Sequence, residues 1–396
     1  MKKILFILLA GILFLNSNAQ IYYEDVYDSV VVTSDILYGN NIDYNNNSTD
    51  LYLDTYEGYQ DTAQQRPLMI MAHGGSFISG TKDSQDMIDF ATAFAKKGYF
   101  VVSIQYRLGV NTTAVIGGQG NEEFTTAVLR ATHDMKAAIR FFVKDKETAN
   151  IYKIDTSKII VGGASAGAIT AIHLAYLEDL ANVTDVVDTN GIGGLAGNSG
   201  NPGYNDIPKC VVNLCGAIGD TAWMYNHNIP IVSMHGDQDQ TVPYGSAMLT
   251  MSGFDIREVD GSHSIMEKCN QIGLLNQLHT WVGQDHCPQM SNTAYMDTSI
   301  WITRDFLYNY FFNNSDIKKI EENNITIYPN PAKDIINIKI DNKHYGINNI
   351  EIYNISGKCV ISTSIDNSNK IDISNLKQGI YFVRIGEYSS KFVKVN

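Results

Sequence analysis

Residues 159–170 read IIVGGASAGAIT. Ile159, Ile160 and Val161 form the β-branched run of a buried strand, and Ile169 opens ITAIHLAYL, whose apolar residues recur at helical spacing. Ser165 stands between them, flanked by Gly163 and Gly167. A strand passing into a helix through G-x-S-x-G raises the serine clear of the sheet and sets the positive end of the helix beneath it. The pattern decides nothing alone, because a chain with 32 glycines in 396 residues meets it by chance. The rest of the sequence has to supply the sheet, an acid, a base and donors for an oxyanion.

The sheet is legible on both sides of the serine. Apolar, β-rich runs recur: DILYG, DLYLDTY, PLMIMAHGG, FVVSIQYR, KIIVGGA, CVVNLCGAIG, IPIVSMHG and QLHTWVG. Helical patterns separate them, among them DMIDFATAFAKKG, FTTAVLRATHDMKAAIRFFVKD, SIMEKCNQIGLL and IWITRDFLYNYFF. This alternation predicts an α/β fold over residues 20–313, with a mostly parallel sheet of about eight strands flanked by helices. Several strands are continuous apolar runs, as sheets covered on both faces require.

Three further stretches bear on chemistry. Strand PLMIMA runs into His73-Gly74-Gly75-Ser76-Phe77, where the backbone N–H groups of Gly75 and Ser76, with that of Ala166, are the expected oxyanion donors. One such donor is worth about 2.7–4 kcal/mol in the transition state. His73 reads as a residue bracing that loop. Strand IPIVSM ends at His235-Gly236, with Asp237 and Asp239 following; Asp239 is the expected acid, and a calcium site at the two aspartates lacks further ligands at suitable spacing. Asp239 is followed by His263, His279 and His286. The base has to lie after the last strand and before the last helix. His279 alternates with Leu278 and Thr280 inside a strand; His286, after strand-breaking Gly283, is the expected base, and His263, which precedes the penultimate helix, is the alternative.

Together these residues resemble the α/β-hydrolase carboxylesterases, near the hormone-sensitive-lipase-like and acyl-esterase branch. The resemblance covers residues 35–313 and rests on HGGSF, SIQYRLG, HDMKAAIRF, GASAG and HGDQDQTVPY; GQDHCP is similar to the G-x-x-H-x-P turn of such esterases. Ser76 replaces the usual third glycine of HGGG, which the oxyanion role tolerates because only its N–H is used. The resemblance implies a Ser165-Asp239-His286 triad, a covalent acyl-enzyme, and neither metal nor cofactor. Tyr106 and Arg107 are expected to tie the fourth strand to the oxyanion loop. Polymer-linked acetyl or feruloyl esters are the expected substrates; a polyester or lipid esterase and a catalytically silent binding protein on the same fold are the alternatives. Residues 185–208, DVVDTNGIGGLAGNSGNPGYNDIP, are polar and glycine-rich, unlike the apolar lid of an interfacial lipase.

The texture changes after a linker at 314–322. Residues 323–396 are short alternating runs with Pro-Asn-Pro, Ser-Gly and Gln-Gly turns, which predict a small β-sandwich. Tyr328-Pro329-Asn330-Pro331, Asn354-Ile355-Ser356-Gly357-Lys358 and Gly379-Ile380-Tyr381 resemble the C-terminal sorting domain of the type IX secretion system of Bacteroidetes. At the other end, Lys2-Lys3, an apolar run and Asn18-Ala19-Gln20 read as a signal peptide over residues 1–19. The chain is therefore expected to be exported through the periplasm and secreted or held at the cell surface, with the type IX machinery as partner and no membrane span. A net charge of −13 with no basic cluster argues against nucleic acid. Five cysteines are too few for a disulfide scaffold. Cys210 and Cys215, five steps of about 3.3 Å apart on one strand, cannot bond, and Cys269 with Cys287 is the one pair open to consideration.

Overall fold

The computed structural model describes residues 21–313, apart from 190, 226 and 227, and 325–395, apart from 341–348, 355–357, 365–369 and 386–387. The expected signal peptide and linker lie outside the described residues. The chain divides into two compact units, Met1–Asn313 and Asn314–Asn396.

The first unit is built on an eight-stranded sheet of β1 (Val30–Ile42), β2 (Ser48–Gly58), β3 (Arg66–Ala72), β4 (Phe100–Ile104), β5 (Ile154–Ala164), β6 (Cys210–Leu214), β8 (Ile231–Gly236) and β11 (Asn276–Trp281). Their spatial order is β1-β2-β4-β3-β5-β6-β8-β11. β1 and β2 run antiparallel to their neighbours, and every pairing from β4 to β11 is parallel. The central strands β3, β4, β6 and β8 are buried along their whole length, which is why they read as unbroken apolar runs.

The helices are α1 (Gln85–Lys96), the short turn α2 (Thr112–Ala114), α3 (Gly120–Glu147), α4 (Ala166–Tyr176), α5 (Ser262–Ile272) and α6 (Thr293–Phe311). Side-chain alternation along each strand divides the core in two. Leu68, Ile70, Ile159 and Val161 pack with α3, α4 and α5 on one face. Met69, Met71 and Ile160 pack with α1 and α6 on the other.

Two details depart from the sequence reading. CVVNLCGAIG is not one strand: β6 stops at Leu214, Cys215 takes φ 60°, and Ala217–Ile218 (β7) leaves the large sheet to pair with Asp260 and Gly261. β9 (Ser246–Met251) and β10 (Phe254–Gly261) form a hairpin that the sequence reading missed, closed by Ser252-Gly253 with both φ values positive. A two-residue loop of that kind matches the twist of its strands. The candidate pair Cys269 and Cys287 is also overturned. Both thiols are free, and they belong to the cores on opposite faces of the sheet.

Among its described residues, the second unit contains two antiparallel sheets. The first comprises Ile325–Tyr328, Ile335–Ile340 and Lys370–Asp372; the second comprises Cys359–Ser364 (β15), Asn349–Asn354 (β14), Gly379–Ile385 (β17) and Tyr388–Lys394 (β18). Ile336, Ile338, Ile352, Ile371, Val383 and Phe392 share one core between them, as in a sandwich.

Candidate active site

Ser165 lies between the end of β5 and the first residue of α4, with φ 54° and ψ −116°. That conformation is costly for a residue with a Cβ, and it persists because the surroundings over-determine it. The Ser165 N–H donates to Leu214 O at 2.8 Å, and its carbonyl accepts from Ile169 N–H at 2.9 Å. The flanking glycines have a steric cause. A Cβ on Gly163 would lie 2.3 Å from Ala72 O, and one on Gly167 only 2.0 Å from the same atom. Their bare backbones let the elbow press against the end of β3, where the His73–Phe77 loop begins.

That loop turns tightly, with the N–H groups of Ile78 and Ser79 both donating to Gly75 O at 3.0 Å. The N–H groups of Gly75 and Ser76 take no part in those two bonds. Ala166 is the first residue of α4, so its N–H has no intrahelical acceptor. His73 braces the loop: its ring stacks on Tyr106, and Tyr106 donates to His73 O at 2.9 Å. Arg107 does something other than expected. Its guanidinium pairs with the buried Asp134 carboxylate of α3 at 2.8 Å and reaches Ile42 O and Ser199 Oγ, so it ties β4 to α3 and not to the oxyanion loop.

Asp239 and His286, the expected acid and base, sit on two loops that zip together beyond β8 and β11. Gly283 N–H donates to Asp237 Oδ1 at 2.6 Å, Gln238 N–H to Gln284 O at 3.0 Å, and Gln240 N–H to Asp285 Oδ1 at 2.9 Å. This brings His286 Nε2 to 2.8 Å from Ser165 Oγ, and His286 Nδ1 to 2.6 Å from Asp239 Oδ2. A carboxylate only accepts, so Nδ1 carries the proton and Nε2 is free to receive the serine's. Asp239 Oδ1 takes the N–H groups of Thr241 and Val242, both at 2.8 Å. Burial by itself would raise the Asp239 carboxyl; hydrogen bonds from His235, His286 and Val242 N–H outweigh it and hold the group well below the usual carboxylate range. His279 stays in β11 against Trp281, and His263 on the first turn of α5 faces Tyr244 and Glu267.

Residues 50–199 match the family BD-FAE, and residues 326–395 match the secretion system C-terminal sorting domain. The chain joins an esterase-like α/β-hydrolase domain to a type IX sorting domain. No curated protein matches it. Among solved structures, the domain is similar to butyrate-bound Est2, a thermophilic esterase from the Planctomycetes species Thermogutta terrifontis. The two share 18% identity over 72% of this chain and 95% of that one, with a TM-score of 0.50, a likeness of fold. Thermogutta terrifontis esterase 2 phosphonylated by cyclosarin aligns at 19% identity over 71% and 95% of the two chains, with a TM-score of 0.48. A truncated carbohydrate esterase from gut microbiota aligns at 17% identity over 72% and 98%, at 0.45.

Among the described residues of the esterase-like domain, one group of potential metal ligands stands out: Cys215, His286 and Cys287, with donor atoms within 4.8 Å of one another. Both nitrogens of that histidine already face Ser165 and Asp239, and burial pushes the Cys287 thiol up. A metal here would have to take the imidazole from the serine. The calcium alternative fares no better, since both oxygens of Asp239 and Oδ1 of Asp237 accept protein hydrogen bonds. Sequence reasoning gave no role to His235, which also reaches Asp239. Its one signal was the H-G-x-x-D spacing at a strand end, four residues before Asp239.

Proposed function

We propose that this chain is an exported serine hydrolase of carboxylic esters. The observation that carries the reading is the line of short hydrogen bonds from the Ser165 hydroxyl through His286 to the buried Asp239 carboxylate. Ser165 Oγ attacks the ester carbonyl carbon as its proton passes to Nε2 of His286, and Asp239 stabilises the imidazolium that forms. The N–H groups of Gly75, Ser76 and Ala166 receive the oxyanion. Nε2 then protonates the departing alcohol. An acyl-enzyme remains on Ser165 until a water, deprotonated by the same nitrogen, releases the acid. Every proton in this sequence moves between groups of this chain, substrate and water.

Polysaccharide-linked acetyl or feruloyl esters are the proposed substrates. The BD-FAE match over residues 50–199 and the sorting domain over 326–395 support this, because an exported enzyme meets polymers outside the cell. The glycine-rich segment after α4 also supports it. Gly194, Leu195 and Ala196 offer their carbonyls to His133, Lys136 and Arg140 of α3, an arrangement of polar tethers in place of an apolar lid. The signal peptide is proposed to open the route through the periplasm, and the C-terminal domain to deliver the chain to the type IX machinery.

The test is hydrolysis of p-nitrophenyl acetate by the purified protein, followed by an acyl-length series, acetyl-xylan, feruloyl esters, polyesters and lipid esters. Turnover of short acyl esters and polysaccharide esters is expected. Rates that rise with acyl length would favour the polyester or lipid alternative. No turnover of any ester would leave the silent binding protein.

A further inference from the structure

Asp239 serves two histidines. Its Oδ2 lies 2.6 Å from Nδ1 of His286 and 3.1 Å from Nε2 of His235, whose side chain is wholly buried. The surroundings decide which nitrogen of His235 carries the proton. Nε2 faces two acceptors, Asp239 Oδ2 and Val242 O, each at 3.1 Å, so it is the N–H. Nδ1 faces Ser262 Oγ at 2.7 Å. Ser262 accepts from the Asn213 amide at 2.9 Å, and that amide is oriented by the Gly216 N–H on its oxygen at 2.7 Å. The one Ser262 proton has His235 Nδ1 at 2.7 Å or Gly216 O at 3.4 Å to choose from, and the shorter bond takes it. Donors therefore run in one direction, from Asn213 on β6 through Ser262 at the head of α5 and His235 at the end of β8, into the carboxylate.

We propose that His235 is a positioning residue for the triad: its Nε2–H fixes the Asp239 carboxylate and draws off charge that would otherwise act on His286. The proposal rests on the reading of Ser165, His286 and Asp239 given above. A carboxylate with one donor fewer holds the imidazolium of His286 more strongly. The titratable groups facing His286 are Asp239 from the β8 loop, Cys215 from the end of β6 and the adjacent Cys287. Those facing His235 are Asp239 and, edge-on at 5.6 Å between ring centroids, Tyr244.

The test compares His235→Leu, which removes the donor, with His235→Gln, whose amide N–H falls near the Nε2 position. In the full-length protein His235→Leu is expected to lower kcat by about 10²-fold through a loosened carboxylate. It should also move the acidic limb of kcat/KM upward by about one pH unit, with KM little changed. His235→Gln should recover most of both. An acidic limb unmoved in His235→Leu, or a Gln variant no better than Leu, would mean that His235 only fills space and would overturn the proposal. If the Leu variant fails to fold, His235→Asn replaces it; its shorter amide reaches Ser262 and leaves Asp239 without the donor, so the same limb shift is expected and its absence is equally decisive. Organophosphate labelling separates the two readings. Wild-type protein not labelled at Ser165 overturns the triad itself, whereas labelled protein with an unmoved limb overturns only the role of His235.

Discussion

Ser165 pairs an unfavourable backbone with a hydroxyl only 2.8 Å from an imidazole, and these two features separate cleanly on substitution. Alanine keeps the turn and the backbone bonds to Leu214 and Ile169. Ser165→Ala is therefore expected to keep its circular dichroism spectrum while kcat falls by about 10⁶-fold; a folded variant with a tenth of wild-type activity contradicts the nucleophile. The histidines give a second comparison. His286→Ala removes the group between Ser165 and Asp239 and should cost orders of magnitude. His263→Ala removes a ring that meets Tyr244 and Glu267, and should stay within a few-fold. The opposite ranking in steady-state kinetics would reject His286 as base. Choosing between them from sequence required a judgement about where β11 ends, because both are preceded by polar, glycine-containing turns.

At the scale of elements, the elbow depends on how closely α4 approaches β3. Gly167→Ala places a Cβ 2.0 Å from Ala72 O, a backbone atom that cannot swing aside. The helix and the His73–Phe77 loop must part, at a cost of about 1–3 kcal/mol, and the N–H groups proposed as oxyanion donors shift with them. A lowered melting temperature together with a loss in kcat larger than in KM is expected; an unchanged melting temperature would contradict the packing argument. The same scale shows where sequence patterns mislead. CVVNLCGAIG looks continuous because both of its halves are apolar, yet the left-handed backbone at Cys215 sends β7 to the hairpin β9–β10. That hairpin was visible only as a Ser-Gly pair between two ragged alternations.

For the whole molecule, the two compact units and the confinement of Ser165, Asp239 and His286 to the first suggest a direct experiment. A chain ending at about Ile320 should keep kcat/KM within a few-fold and lose export in the native host. A large loss of activity in the soluble truncated enzyme would assign substrate binding to the second unit. Acid stability gives another test. Burial holds His173 neutral down to about 4 and His133 down to about 3, whereas in the unfolded chain both titrate near about 6.5. Between those limits the unfolded chain binds protons that the folded one refuses, so stability falls as pH drops below about 6.5. Asp239 has the depressed value of a bonded carboxylate; its contribution is complete above about pH 4 and is lost only in stronger acid. Urea midpoints at pH 7 and pH 5 should therefore differ. His133→Gln, which retains a donor for Gly194 O but does not titrate, should shrink that difference; an unchanged difference would rule out His133 as a source.

Local pattern alone reveals the alternation of strands and helices, Ser165 on its strand-to-helix turn, Asp239 beyond the end of β8 and the β-rich tail. These are signals of short range: the period of apolar residues, β-branching, and glycine where two backbones crowd. Tertiary structure decided the partners. Ser165 and His286 are 121 residues apart, and His235 and Ser262 are 27 apart. Whether such side chains meet depends on the twist and register of the sheet between them, which no local pattern encodes. For the same reason the sequence left Cys269 and Cys287 open as a pair, while the folded sheet sets them on opposite faces. It also named His235 as a strand end, and only packing turned that ring inward onto the carboxylate that holds His286.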